Sequence, residues 1–249
     1  GRCYREVTGF HLLRRDARAL VRDIFPKETG CMRSGLSPHA PYSVSPDLMR
    51  AAAERTRNLT LHCAELPEEQ QFLRTGGGPF ADLLKRLGRL PEGFRAPGCG
   101  AVRLLEKLKV LQANTLLVHC QELERGDVGR IASSGASVVV CPGTIRYFQR
   151  TPPQILKWLR AGIPVALGTD SHASNKGLSM RRELALAAEM WPELSPRQLL
   201  SMATSVGGRA LGGPFGGLRR RRRADFFTVR ASGSWEETLA AFVYDQVPI

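Results

Sequence analysis

The chain lacks any apolar run near the roughly 18 residues that a membrane-spanning helix needs, so it offers no transmembrane segment. It also lacks the basic start, apolar stretch and small-residue cleavage site of a secretory signal. Its six cysteines (Cys3, Cys31, Cys63, Cys99, Cys120, Cys141) include no CxxC pair and no small-scaffold spacing, and four of them lie in or beside apolar, strand-like runs. They read as buried reduced thiols rather than disulfides, and the expected compartment is reducing and cytoplasmic. Asn58-Leu59-Thr60 is a formal glycosylation sequon, read as coincidence in the absence of a secretory signal.

Missing motifs exclude several chemistries. HExxH is absent, which disfavours that zinc-protease class. GxSxG is absent, which disfavours an α/β-hydrolase nucleophile elbow. Neither a Walker A loop nor GxGxxG is present to cradle a nucleotide, and the HxE and PCxxC pair of one zinc deaminase fold is missing. Acidic residues are scarce, 23 against 36 basic, giving 36 − 23 = +13. Such a surplus can serve nucleic acid or a membrane surface. Here the arginines are scattered apart from Arg219–Arg223, with no helix-turn-helix, zinc-finger or aromatic-basic signature. The surplus is read as solvated surface plus one basic turn, and no nucleic-acid or membrane partner is expected.

What remains is an ordinary globular balance, 43% apolar and 24% charged over 249 residues, enough for one large α/β domain or two smaller ones. Short apolar runs predict strands over Cys3–Gly9, Gly35–Pro38, Leu59–Cys63, Thr115–Cys120, Ser137–Cys141 and Pro164–Gly168. Helical patterns lie between them: Asp47–Arg57 after the N-cap Ser45 and Pro46, a helix opening at Pro67-Glu68-Glu69, Leu123–Ser134 closed by Gly135, Pro153–Ala161 and Leu178–Met190. Strand–helix alternation predicts a parallel sheet or barrel. After Leu211 the chain turns Gly-rich and then basic. This predicts a boundary near Gly212, with 1–211 as a barrel portion and 212–249 as a segment containing a small β element at Ala224–Val229.

Polar chemistry recurs where these strands end: His39 in "GLSPHAPYS", His62 and Glu65 in "LTLHCAE", His119 in "TLLVHCQE", and Asp170 and Ser171 in "PVALGTDSHASN". Singly, each is weak evidence. A lone strand-end His is more often structural, Asp170 could be an N-cap, and His172 reads as an exposed loop residue. Together they match an α/β barrel, whose active site is assembled at the carboxyl ends of several strands. His and Asp from separate strands suit a catalytic zinc that keeps a position open for water.

In order, "SPHAPYSVSP", "HCAELPEEQQF", "LLVHC", "VVVCP", "RYF", "VALGTDSHASN" and "ATSVGGRALG" resemble the amidohydrolase superfamily, in particular its mononuclear-metal aminohydrolases. "GGLRRRRRADFFTV" resembles that family's return into a small β domain. The resemblance implies a (β/α)8 TIM barrel, here incomplete, with strands 3–8 present and a C-terminal piece of the β domain. It implies a zinc (alternatively Fe2+) deaminase acting on an amino-substituted purine nucleoside or similar heterocycle. His62 and Asp170 would be metal ligands, with His119 beside the metal; Glu65, His119 and Asp170 would be catalytic; and His39, Glu65 and Ser171 would contact substrate. Arg146 is a candidate for an anionic substrate group. A homo-oligomer is left open.

The chain departs from the family in two places. The HxH pair of strand 1 is absent, so the expectation is that strands 1 and 2 lie upstream of Gly1. Taken as the whole protein, the chain would have an open seam and too few ligands for a normal zinc site. In "CPGTIRYF", Thr144-Ile145 stand where many relatives carry Ser-Asn, which predicts an altered substrate or loop contact. The alternatives are a triazine-type or other amidohydrolase acting on C–N or C–Cl bonds, or an inactive fragment or basic binding module built on Arg219–Arg223.

Overall fold

The structure, a computed structural model, describes residues 1–12, 14–27, 30, 32–213, 220, 226, 228 and 233–244. It falls into two compact units: Gly1–Val138 with Ile155–Ile163, and Val139–Gln154 with Pro164–Ile249.

The first unit alternates strand and helix. β1 (Arg2–Val7), β2 (Arg33–Pro38), β3 (Leu59–Cys63) and β4 (Thr115–His119) pair side by side and parallel. Between them run α1 (Arg14–Ile24), α2 (Pro46–Arg55), α3 (Pro67–Thr75), α4 (Pro79–Arg86) and α5 (Ala101–Lys107), followed by α6 (Asp127–Ser134). β5 (Ser137–Val140) begins in this unit, and α8 (Ile155–Arg160) belongs to it. The second unit holds the end of β5, α7 (Pro142–Tyr147), β6 (Val165–Leu167), α9 (Met180–Met190), α10 (Pro196–Ser201), a π-helical turn (Met202–Val206), α11 (Gly207–Ala210) and α12 (Trp235–Val243). The strands follow chain order in the sheet, β1 to β6. Six parallel strands in α/β alternation are those of a partial TIM barrel.

The burial of each strand explains its sequence. β2, β4, β5 and β6 are buried on nearly every residue, as strands covered on both faces must be. β3 alternates, with Leu59, Leu61 and Cys63 buried and Thr60 and His62 half-buried. A histidine can therefore sit inside a sheet with its ring still reachable. β1 is largely exposed, and Cys3 with it; Cys63, Cys99, Cys120 and Cys141 are buried free thiols, and Cys31 lies outside the described residues.

Helix ends differ from the sequence reading for local reasons. α2 starts at Pro46, with Ser45 accepting from the Leu48 N–H as expected. α6 starts at Asp127 rather than Leu123, because the Asp127 carboxylate accepts from the Glu124 N–H and closes a turn first. α8 begins at Ile155 rather than Pro153, whose carbonyl accepts from the Trp191 indole. α9 begins at Met180 because Ser179 caps it. The "CPGTIRYF" stretch is helical over Pro142–Tyr147. The segment after Gly212 contains α12, opened by a Ser234–Glu237 capping box that the sequence reading did not identify. The basic run at Arg219–Arg223 and the strand expected at Ala224–Val229 fall almost entirely outside the described residues. No helix among the described residues is long and apolar enough to cross a membrane.

Leu117, in the middle of β4, is fully buried, whereas Leu87 after α4 is 55% exposed. Leu117→Ala is expected to lower unfolding free energy by about 2–5 kcal/mol. Leu87→Ala should change it by less than about 0.5 kcal/mol. Urea titration followed by circular dichroism measures both.

Candidate active site

In the first unit, three successive strand ends deliver three imidazoles. His39 follows β2, His62 lies in β3, and His119 ends β4. The His39 and His62 rings are 4.8 Å apart between centroids, and His62 and His119 stack at 5.4 Å with 17° between planes. The His39 carbonyl accepts twice from His62, from its backbone N–H at 2.9 Å and from ring Nδ1 at 2.9 Å. A carbonyl can only accept, so Nδ1 carries the proton and Nε2 keeps its lone pair. That is the tautomer a metal-binding imidazole needs.

His39 is held in the same manner. The Ser43 hydroxyl donates to the Ala40 carbonyl and accepts from His39 Nδ1 at 2.7 Å. Burial, aided by the neighbouring His62, pulls the His39 pKa below the usual imidazole range, so the ring is neutral at pH 7. Tyr42 meets His39 edge-on and stacks flush on Phe80, the centroids 3.8 Å apart. Burial first, then Glu65, Glu69 and Glu6, pushes the Tyr42 phenol up to about 12.

Glu65 reaches His119, with Oε2 3.6 Å from Nε2. The backbone around them is strained: Ala64, His119 and Cys120 have φ of 50°, 74° and 54°. Left-handed conformations in non-glycine residues cost about 1 kcal/mol or more each and concentrate at functional sites. The left-handed turns fall where β3 and β4 end, at the carboxyl ends that carry Glu65 and His119. The sequence places Glu69 only at the opening of a helix. Its carboxylate is fully buried and accepts from the Ala64 and Glu65 N–H groups at 3.2 and 2.9 Å. The signal lay in the spacing, a glutamate at the third position of a helix with an uncapped start.

The second unit contains the aspartate. Asp170 also has a positive φ, 56°. Its Oδ2 accepts from Thr144 at 2.8 Å and from Ser174 at 2.7 Å. Thr144, which stands with Ile145 where the sequence predicts an altered contact, supplies a buried donor to the aspartate. Behind them lies a polar network of Asn175, Glu183 and Arg182. Asn175 Nδ2 donates to the Thr169 carbonyl and to Glu183, each at 2.7 Å, while Arg182 donates to Asn175 Oδ1 at 2.6 Å. Glu183 also accepts from the Gly143 N–H at 2.6 Å. A side chain at Gly143 would collide with Asn175, so glycine is required there. Burial raises the Glu183 pKa despite these donors. Ser171 is exposed and its hydroxyl accepts from the Ala173 N–H. Arg146 is exposed and paired with Glu189.

His62 and Asp170 have the donor chemistry of metal ligands. Among the described residues, however, no three His, Cys, Asp or Glu side chains form a group that could hold a metal ion. The described donor set does not by itself make a complete zinc site.

Glu69 carries a pH signature. Burial outweighs its N–H donors and pushes its pKa up to about 7, from 4.5 for a free glutamate. The native state therefore binds this proton more tightly than the unfolded chain does. Its contribution to stability is full below about pH 4.5 and is lost as the pH rises through about 7. Urea titrations at pH 5 and pH 8 should show a smaller decline in stability across that interval for Glu69→Gln than for the parent. Equal declines would contradict the assignment.

Comparisons with known proteins agree with this architecture. Residues 5–248 match the model of the Amidohydrolase family. The chain is similar to an aminodeoxyfutalosine deaminase of Deinococcus radiodurans, 38% identical over 203 residues that cover 76% of this chain and 48% of the relative. It is also similar to a 5-methylthioadenosine/S-adenosylhomocysteine deaminase of Pyrococcus abyssi, 29% identical over 71% of this chain and 40% of the relative. The chain thus spans about half the length of the curated relatives it matches. Among solved structures, a Helicobacter pylori aminofutalosine deaminase in complex with methylthio-coformycin superimposes with a TM-score of 0.82 at 23% identity, covering 97% of this chain and 62% of that one. An Arthrobacter aurescens atrazine chlorohydrolase complexed with zinc and atraton gives 0.74 at 21% identity, covering 100% and 57%. At such identities these two show the fold alone. With its family match running almost from end to end, the chain belongs to the amidohydrolase family.

Proposed function

We propose that the chain is the greater part of the barrel of a hydrolytic deaminase acting on an amino-substituted purine nucleoside, with residues 1–211 as barrel and 212–249 returning toward a small β domain. The observation that carries the reading is the alignment of His39, His62, Glu65 and His119 at consecutive strand ends, with the His62 tautomer fixed by the His39 carbonyl. The aminodeoxyfutalosine deaminase relative supports the substrate class.

The reaction replaces a ring C–NH2 by C=O, with water consumed and ammonia released. Glu65 is proposed to deliver a proton to the ring nitrogen beside the reacting carbon. Asp170 would take the proton of the attacking water, held for that task by the Thr144 and Ser174 hydroxyls. His119, beside Glu65, would stabilise the charge that develops on the attacked carbon's substituents. Neutral His39 would face the substrate as a hydrogen-bonding partner. Ser171 is proposed on the substrate side. Arg146 would have to exchange Glu189 for an anionic substrate group. Zinc, with Fe2+ as the alternative, is the metal proposed for this family member; His62 and Asp170 are its proposed ligands in this chain.

The test is ammonia release from adenosine, methylthioadenosine, S-adenosylhomocysteine and aminodeoxyfutalosine by zinc-supplemented protein. Glu65→Gln is expected to lower kcat by about 10²–10⁴-fold. A parent protein that has taken up one zinc per chain and is still inactive on all four would refute the reading. In parallel, elemental mass spectrometry of the dialysed chain should find well below one zinc per chain, in keeping with the incomplete donor set.

A further inference from the structure

Glu69 stands third in α3, after Pro67 and Glu68, and its side chain is fully buried. An acidic residue kept only for the helix dipole would sit in water, where that interaction is favourable at no desolvation cost. A residue kept only to fill space would be apolar, because burying a carboxylate costs several kcal/mol before any partner is counted. Glu69 meets neither description. It reaches back past the helix start, where Leu66 provides no side-chain cap, to the N–H groups of Ala64 and Glu65. Those two donors lie in the segment that turns left-handed at Ala64, with φ of 50°. Holding both amides fixes the peptide plane on either side of Ala64 and sets the direction in which the Glu65 side chain leaves the backbone. From that start the Glu65 carboxylate comes to 3.6 Å from His119.

We propose that Glu69 is the positioning residue for Glu65: its carboxylate grips the Ala64 and Glu65 N–H groups and thereby holds the Glu65 carboxylate against His119. That Glu65 carries the proton rests on the function proposed above; the grip itself does not. Burial places the Glu69 pKa near 7, so at pH 8 it is mainly the carboxylate, with both oxygens accepting.

The experiment uses the 249-residue chain at pH 8, with amide exchange and side-chain nitrogen signals followed by NMR. Glu69→Gln keeps the shape but turns one acceptor into an N–H2 donor facing an N–H. Its Ala64 and Glu65 amides should exchange roughly 10–100-fold faster, the range for losing a hydrogen bond to a charged group. The other β3 and α3 amides should keep parent rates, and the His119 ring nitrogen signals should move as Glu65 swings away. Glu69→Asp, which restores the charge at a shorter reach, should recover part of the protection. A purely structural Glu69 would weaken all α3 amides together and leave the His119 signals in place, which overturns the proposal. If neither variant folds, the parent decides: NMR coupling through the hydrogen bonds from the two amides to the Glu69 carboxyl carbon is expected, and its absence overturns the proposal. If parent protein carrying one zinc per chain shows no deamination, the proposed function fails, while the amide and imidazole measurements still decide the grip.

Discussion

The His39 carbonyl oxygen accepts two N–H groups of His62, one from the backbone and one from the ring, and the strand-end chemistry is built outward from that contact. The backbone bond joins the end of β2 to β3. The ring bond sets the tautomer of His62. Burial first, and then His62 with its ring centroid 4.8 Å away, holds the His39 pKa below the usual imidazole range. His119 then stacks on the other side of His62 and brings Glu65 with it. A shift of register between β2 and β3 would break both bonds at once and leave a buried carbonyl without either donor.

Each unit also keeps one buried glutamate that serves a loop rather than a substrate. Glu69 holds the Ala64–Glu65 turn, and Glu183, with Asn175, holds the turn that carries Asp170. Desolvation is the larger effect in both, since each pKa is raised despite the donors aimed at the carboxylate. The charge-assisted bonds, about 1.5–3 kcal/mol each, offset part of that cost. What the fold gains is geometry. Left-handed backbone at Ala64 and Asp170 would relax without partners to hold it. The strained turns and the buried carboxylates are therefore two parts of one arrangement: the second keeps the first from moving.

The sequence made β2, β4, β5 and β6 legible because their burial is nearly continuous. β3 runs over Leu59–Cys63, the bounds its sequence predicts. Helix starts were less legible where a side chain closed a turn before the helix began, as Asp127 does ahead of α6. α7 was missed because "CPGTIRYF" has neither a periodic apolar face nor a side-chain cap. Of the candidate site, His39, His62, Glu65 and His119 could be named because each follows an apolar run. The partners that hold them could not. Thr144 is 26 residues from Asp170, and Glu183 is 40 residues from Gly143. The sequence marks Thr144-Ile145 only as an altered contact, since a threonine donor has value only once its distant acceptor is placed.

By itself, then, the sequence determined the α/β alternation, the parallel strands and the residues for which a site is proposed. Apolar periodicity and strand-end polarity are local properties that survive in one dimension. Tertiary structure alone decided the His62 tautomer, the neutrality of His39, the raised pKa of Glu69 and the two hydroxyls on Asp170. Each of these depends on burial and on a donor or acceptor whose direction in space no neighbouring residue fixes. Desolvation and hydrogen-bond geometry exist only after the chain has folded, and they turn a row of histidines and carboxylates into groups with defined protons.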